Sequence, residues 1–105
     1  RTKSINVRNS TGREDPEDQE KVDDITNARV YPNPVSEEIN LDVELSGEMR
    51  VLVKVTSMIG VSIFEKKFEA RQISEVIQMS GVNPGMYIVI IITENQSKSF
   101  RVLKL

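Results

Sequence analysis

Residues 38–45, Glu-Ile-Asn-Leu-Asp-Val-Glu-Leu, alternate strictly between polar and apolar side chains. Successive side chains of a β-strand point to opposite faces, so this stretch predicts a strand with one buried and one solvated face. Residues 49–55 repeat the pattern, with Leu52 as an apolar interruption on the polar face. Because the intervening Ser46-Gly47-Glu48 is turn-forming, the two strands are predicted to form a hairpin.

Downstream of this stretch the chain continues as short apolar segments separated by turns. Segments with strand character lie at residues 61–63, 73–79, 86–93 and 99–103, and turns at residues 57–60, 82–85 and 95–97. Val82-Asn83-Pro84-Gly85 is the strongest turn, since proline presets φ and the following glycine accepts a positive φ. Strands separated by turns every ~8–12 residues, with no helical period, predict an all-β fold, an Ig-like antiparallel β-sandwich of about seven strands.

The first 28 residues differ in composition from the rest. Residues 13–24 contain seven acids, two bases and a single apolar residue, Val22. Such a stretch cannot build a hydrophobic core, and its charges repel one another into an extended form. We therefore predict a flexible linker, or the tail of a preceding domain, at residues 1–28 and one folded domain at residues 29–105. Residues 4–8 alternate like a short strand and leave both interpretations of the N-terminal segment open.

Composition argues against several classes of function. The 105 residues include no cysteine and no histidine, which removes disulfides, thiolate nucleophiles, the usual zinc ligands and the commonest neutral-pH base. Residues 29–105 hold nine bases and nine acids, so this part has no net charge and is not expected to bind nucleic acid. Glu38, Asp42 and Glu44 lie on the polar face of a predicted strand, where solvated carboxylates without a partner base are expected. We predict no enzymatic activity, no cofactor and no metal.

Neither a signal peptide nor a membrane helix is expected from the sequence. The longest apolar run, residues 86–92, is far shorter than the ~18 residues that a spanning helix needs. Because the sequence opens at Arg1 without a start signal, we expect it to be a fragment of a longer protein.

A series of motifs from Tyr31 onward matches a known family in order and spacing. The matching elements are Pro32-Asn33-Pro34, the turn at Gly60, Val82-x-x-Gly85-x-Tyr87, and Lys98-Ser99-Phe100-Arg101-Val102-Leu103-Lys104. In this combination the chain resembles the type A C-terminal sorting domain of type IX secretion (Por secretion system) cargo proteins. It departs from the family at Ser57, where an acidic or amide residue is usual, at Val82, where leucine is usual, and at the apolar Leu105. Serine still offers a side-chain oxygen for the local bond of such a turn.

The resemblance implies a secretion signal. In this family the cargo protein, which lies N-terminal to the domain, reaches the periplasm by an ordinary signal peptide, and the domain then directs it through the type IX outer-membrane translocon to the cell surface or the medium. The implied partners are translocon components and, on many cargos, a sortase that removes the domain and attaches the cargo to the surface. Residues 9–28 are polar and predicted to be accessible, as a protease substrate must be. The recognition residues carried over are those of the motifs: Pro32, Asn33, Pro34, Gly60, Gly85, Tyr87, Lys98, Arg101, Val102 and Lys104.

Each motif also has a purely structural interpretation. Pro32 and Pro34 would keep an edge strand short, Gly60 and Gly85 would serve as turn residues, and Tyr87 would belong to the core. The alternative function is a structural or adhesive Ig-like module at the end of a surface protein. A sugar-binding module is disfavoured because the chain has no tryptophan to stack on a sugar ring.

The strand at residues 86–93 is apolar on both faces. Tyr87, Val89 and Ile91 share one face, which is predicted to be buried because family members usually carry a polar or basic residue near position 90. The opposite face is then an apolar stripe of Met86, Ile88, Ile90 and Ile92, close to Leu52. We predict a candidate interface at Ile88, Ile90 and Ile92, for a homodimer or for the translocon. The alternative is that the N-terminal segment or a broader core covers this stripe.

Overall fold

The computed structural model describes residues 23–105 of the chain. Its five antiparallel strands form one sheet: β1 Ile25–Tyr31, β2 Glu38–Ser57, β3 Ser62–Gln78, β4 Gly85–Ile92 and β5 Ser97–Lys104. β3 lies along one edge of β2. β1 and β4 share the other edge, where β1 pairs with residues 40–45 and β4 with residues 52–57. The prediction of an all-β antiparallel fold is confirmed.

β2 continues through the sequence that was predicted to be a turn. Residues 38–44 and 49–56 both pair with β3, with a register shift between Glu44 and Met49. The predicted hairpin between residues 38–45 and 49–55 is therefore wrong, and residues 73–78 are the second half of β3 instead of a separate strand. Five steps of β2, from Glu44 to Met49, lie opposite two steps of β3, so the chain bulges and bends here without reversing its direction. The N–H of Ser46 donates to the carbonyl of Asp24 (2.9 Å), so this backbone donor has a hydrogen-bond partner within the bulge.

The long β2–β3 ribbon folds back on itself. Lys66 Nζ lies 3.2 Å from Glu75 Oε2, although the two residues are nine positions apart in β3. Nine residues of a straight strand would span about 30 Å. The single sheet is therefore curled, and we call its two facing halves, to both of which β2 and β3 contribute, its two layers. A seven-stranded Ig-like sandwich is not confirmed, because these two bent strands stand where separate short strands were expected.

The core lies between the two layers and is formed by alternate residues of every strand. Its buried members are Ile25, Val35, Ile39, Leu41, Val43, Leu45, Val51, Val53, Val55, Ile73, Ile77, Met79, Tyr87, Val89, Ile91 and Val102. The inward faces predicted for residues 39–45, 51–55 and 87–91 are thus confirmed. This burial is the main source of stability, since apolar area removed from water contributes about 25 cal/mol per Å².

The first strand begins at Ile25, before the boundary expected at residue 29. Ile25 is buried, and its N–H donates to Gln96 Oε1 (2.8 Å), so this residue is part of the folded unit. The linker predicted at residues 1–28 falls mostly on residues 1–22, which lie outside the described residues. Residues 23–105 include no helix of the length and hydropathy that crossing a membrane requires.

Candidate recognition site

The four sequence motifs meet at one end of the curled sheet. Gly85 at the start of β4 pairs with Lys104 at the end of β5, and Tyr87 pairs with Ser57 at the end of β2. Val35, which follows Pro32-Asn33-Pro34, pairs with Lys104 in a parallel bridge. We call this region, made of residues 32–35, 57–63, 81–87 and 101–105, the motif end.

The Pro-Asn-Pro motif lies against β5. Asn33 Nδ2 donates to the carbonyl of Arg101 (3.3 Å), and the N–H of Leu103 donates to Asn33 Oδ1 (3.0 Å). The peptide bonds Tyr31-Pro32 and Asn33-Pro34 are both cis. All three motif residues are exposed to solvent. The structure therefore joins two motifs that are about seventy residues apart in the sequence.

Ser57 closes the turn that contains Gly60. The N–H of Gly60 donates to the carbonyl of Ser57 (3.0 Å), and the N–H of Val61 donates to Ser57 Oγ (3.1 Å). Serine thus makes the side-chain bond expected of the acidic or amide residue usual at this position. Gly60 has φ of +92°, a conformation that costs little only for a residue without Cβ.

Tyr87 anchors the second loop of the motif end. Its side chain is buried, and its hydroxyl donates to the carbonyl of Asn83 at 2.6 Å. Gly85 between them has φ of +145°, and Val82 packs against the core. The interpretation of Tyr87 as a core residue is therefore confirmed: its ring is buried, whereas Asn83 and Pro84 of the loop that its hydroxyl holds are exposed.

The motif at residues 98–104, which combines basic and apolar side chains, exposes only part of its charge to solvent. Lys98 and Arg101 are exposed, whereas Val102 and Lys104 are buried. The ammonium group of Lys104 donates to the carbonyl of Leu105 (2.9 Å). Any charge contact that the folded domain makes through this stretch is therefore made by Lys98 and Arg101.

Exposed apolar side chains concentrate at the motif end. Those found there are Met58, Ile59, Val61, Ile63, Met86, Leu103 and Leu105, and Ile59 is 88% exposed. The turn at residues 57–63 and the loop at residues 81–87 line a shared cleft of about 530 Å³. Sequence reasoning missed this surface, although Met58-Ile59 inside a predicted turn was a signal, because turns usually carry polar residues.

The predicted apolar stripe of β4 lies on the outer face of its layer. Ile88, Ile90 and Ile92 are half-buried, and of the four residues only Met86 is exposed. Across the sheet, Ile88 lies beside Arg101 and Ile90 beside Lys54. The stripe is therefore less exposed than predicted and is bordered by the long basic side chains of Lys54 and Arg101.

The other layer carries a polar network on its outer face. Asp42 Oδ2 accepts a hydrogen bond from Tyr31 Oη (2.8 Å) and one from Arg29 Nη2 (3.3 Å), and Ser74 Oγ donates to Asp42 Oδ1 (3.3 Å). The hydrogen bond to the Asp42 carboxylate, with smaller effects of desolvation and charge, raises the pKa of Tyr31. Asp42 of β2 thus links its strand to both neighbours, β1 and β3. Within residues 23–105 no three acidic side chains are grouped as a metal site would require.

The chain matches a known protein family over most of its length. A family model described as "Secretion system C-terminal sorting domain" matches residues 29–104. Comparisons with curated proteins and with solved structures produced no significant match. The matched residues begin within β1 and include all of β2 to β5, so they contain every motif of the motif end.

Proposed function

The chain belongs to the family of secretion-system C-terminal sorting domains, and from this premise we propose that the motif end is the surface that the secretion machinery binds. The domain is a sorting signal for type IX secretion. The observation that supports the proposed surface is the concentration of exposed apolar side chains there, led by Ile59. Contiguous exposed apolar groups on a soluble domain tend to mark interaction sites.

The export route follows from the same premise. Export by a type IX sorting domain ends at the cell surface or in the medium, and a cargo protein lies N-terminal to the domain. We propose that the cargo crosses the periplasm before this step. The family match does not favour the alternative of an adhesive or spacer module, and our proposal assigns the domain no catalytic step.

We further propose that a sortase cuts upstream of Asp24. Asp24 Oδ2 accepts hydrogen bonds from Thr93 Oγ1 (2.6 Å) and from the N–H of Asn95 (3.3 Å), which ties this residue to the turn after β4. A protease needs an extended and accessible segment, and these bonds hold the backbone from Asp24 onward within the fold. Residues 9–22 have the polar, apolar-poor composition that is expected of a segment accessible to a protease.

The proposed surface is tested by removing its most exposed apolar groups. Residues 1–105 are fused behind a periplasmic reporter in a bacterium that has type IX machinery, with Ile59→Ser and Val61→Ser introduced together. Both side chains are exposed, so the domain should stay folded, while the reporter reaching the surface or medium should fall roughly tenfold, as for loss of interface anchors. Val76→Ser is the matched control, because Val76 is an exposed apolar residue on the outer face of the other layer. Equal export by both variants would contradict the proposed surface.

Self-association through the β4 stripe is a separate proposal. Ile88→Thr with Ile90→Thr keeps strand propensity while removing apolar area from the outer face. If the stripe joins two copies, the double variant should melt near the wild-type temperature but lose the dimer mass in sedimentation. A monomeric wild-type protein at high concentration would exclude the homodimer, and a large fall in melting temperature would show that the stripe is part of the core.

A further inference from the structure

The segment beside β5 has few backbone donors. Pro32 and Pro34 have no N–H group, so a strand built from this segment could not donate at either position. The amide side chain of Asn33 lies between the two prolines and carries both a donor and an acceptor. It uses both, donating to the Arg101 carbonyl at 3.3 Å and accepting from the Leu103 N–H at 3.0 Å.

The same bonding pattern recurs two residues later, made by the main chain. The N–H of Val35 donates to the carbonyl of Leu103 (2.8 Å), and the N–H of Leu105 donates to the carbonyl of Val35 (2.9 Å). Val35 thus bonds to the residues on either side of Lys104, as one residue of a parallel strand does. Asn33 bonds in the same sense to the residues on either side of Val102. Residues 33–35, which we call the clasp, therefore form two consecutive steps of a parallel ladder, the first with a side-chain amide and the second with the backbone.

We propose that Asn33 is a positioning residue whose amide replaces a strand backbone and holds the last residues of β5 in place for recognition. This role rests on the proposed function, in which the motif end is the surface that is bound. Arg101 and Leu103, whose backbone groups bond to the amide, are exposed parts of that surface. An edge strand with unpaired backbone groups also invites pairing with other chains, and the clasp covers that edge from Arg101 to Leu105.

An asparagine is suited to this position because its amide carries both a donor and an acceptor. Aspartate keeps the acceptor for Leu103 but loses the donor toward Arg101, and alanine loses both groups. Because Asn33 is exposed, each bond adds little to global stability. Its effect should instead appear as local opening of the end of β5, since terminal segments open far more readily than a core.

The test is amide hydrogen exchange on wild-type protein and on Asn33→Ala and Asn33→Asp. In Asn33→Ala the Leu103 and Leu105 amides should exchange roughly tenfold faster, while the Val53 and Val89 amides of the core keep their wild-type rates. In Asn33→Asp the Leu103 amide should retain more protection than in Asn33→Ala, because its acceptor is still present. Asn83→Ala is the matched control, since Asn83 also precedes a proline and is exposed, and it should leave the Leu103 and Leu105 rates unchanged.

Two results would overturn the proposal. The first is wild-type exchange at Leu103 and Leu105 in Asn33→Ala, and the second is equal acceleration of core and end amides, which would make Asn33 a contributor to global stability only. Export of the reporter fusion then tests the functional half, because Asn33→Ala with an opened strand end should be exported less than wild type. Normal export of that variant refutes positioning for recognition. Failure of the wild-type fusion itself to be exported would count against the proposed function. The exchange result would still show whether Asn33 holds the end of β5 in place.

Discussion

Deletion of residues 98–105 is expected to abolish cooperative folding of the domain. It removes nearly all of β5, and with it the buried Val102 and the β5 pairing of β4 from Gly85 to Ile91. The loss should be comparable with the whole stability of such a domain, ~5–15 kcal/mol. Circular dichroism should show no sigmoidal thermal transition, and export of a fused reporter should stop.

The matched variant separates recognition from folding. Lys98→Gln with Arg101→Gln removes the exposed charge of β5 and leaves the buried Lys104 in place. Surface changes of this kind usually alter stability by ~0.5 kcal/mol or less, so melting should be close to wild type. Reduced export by this variant would assign a role to the charge. A cooperative transition in the deletion mutant would contradict the structural importance of β5.

Ile91→Ala is expected to destabilise the domain by about 2–5 kcal/mol, because it leaves a cavity in a packed core. Ile91 is fully buried between the layers, whereas its neighbour Ile90 is half-buried on the outer face. Ile90→Ala removes the same atoms from the same strand, but part of that site is already in contact with water. Its cost should be clearly smaller.

Urea denaturation of the two alanine variants measures this difference directly. The midpoint of Ile91→Ala should shift much further than that of Ile90→Ala, with similar slopes if both variants unfold from the same state. Equal shifts would mean that both faces of β4 are equally buried in solution, for example by self-association, and would contradict a partly exposed position for Ile90 on the outer face.

Local sequence was sufficient to assign the faces of the strands. The alternation of residues 38–45 and of residues 86–92 correctly separates buried from outward positions, because side-chain direction in a strand depends only on its period of two. The turn at Gly60 was also predictable, since Ser57 and a glycine with positive φ act over a few residues. The resemblance to sorting domains followed from motifs in their order along the chain, and the family match over residues 29–104 agrees with it.

Only the tertiary structure decided how these strands are connected in space. Ser46-Gly47-Glu48 is compatible with a reversal or with a bend, and pairing of both halves of β2 with the distant β3 selects the bend. The contacts of Lys66 with Glu75 and of Asn33 with Leu103 likewise depend on the ribbon folding over. Hydrogen bonds and burial at these sites come from residues remote in sequence, and local patterns do not predict them. Local sequence therefore determined which face of its strand each side chain occupies. Long-range pairing determined which residues that face contacts.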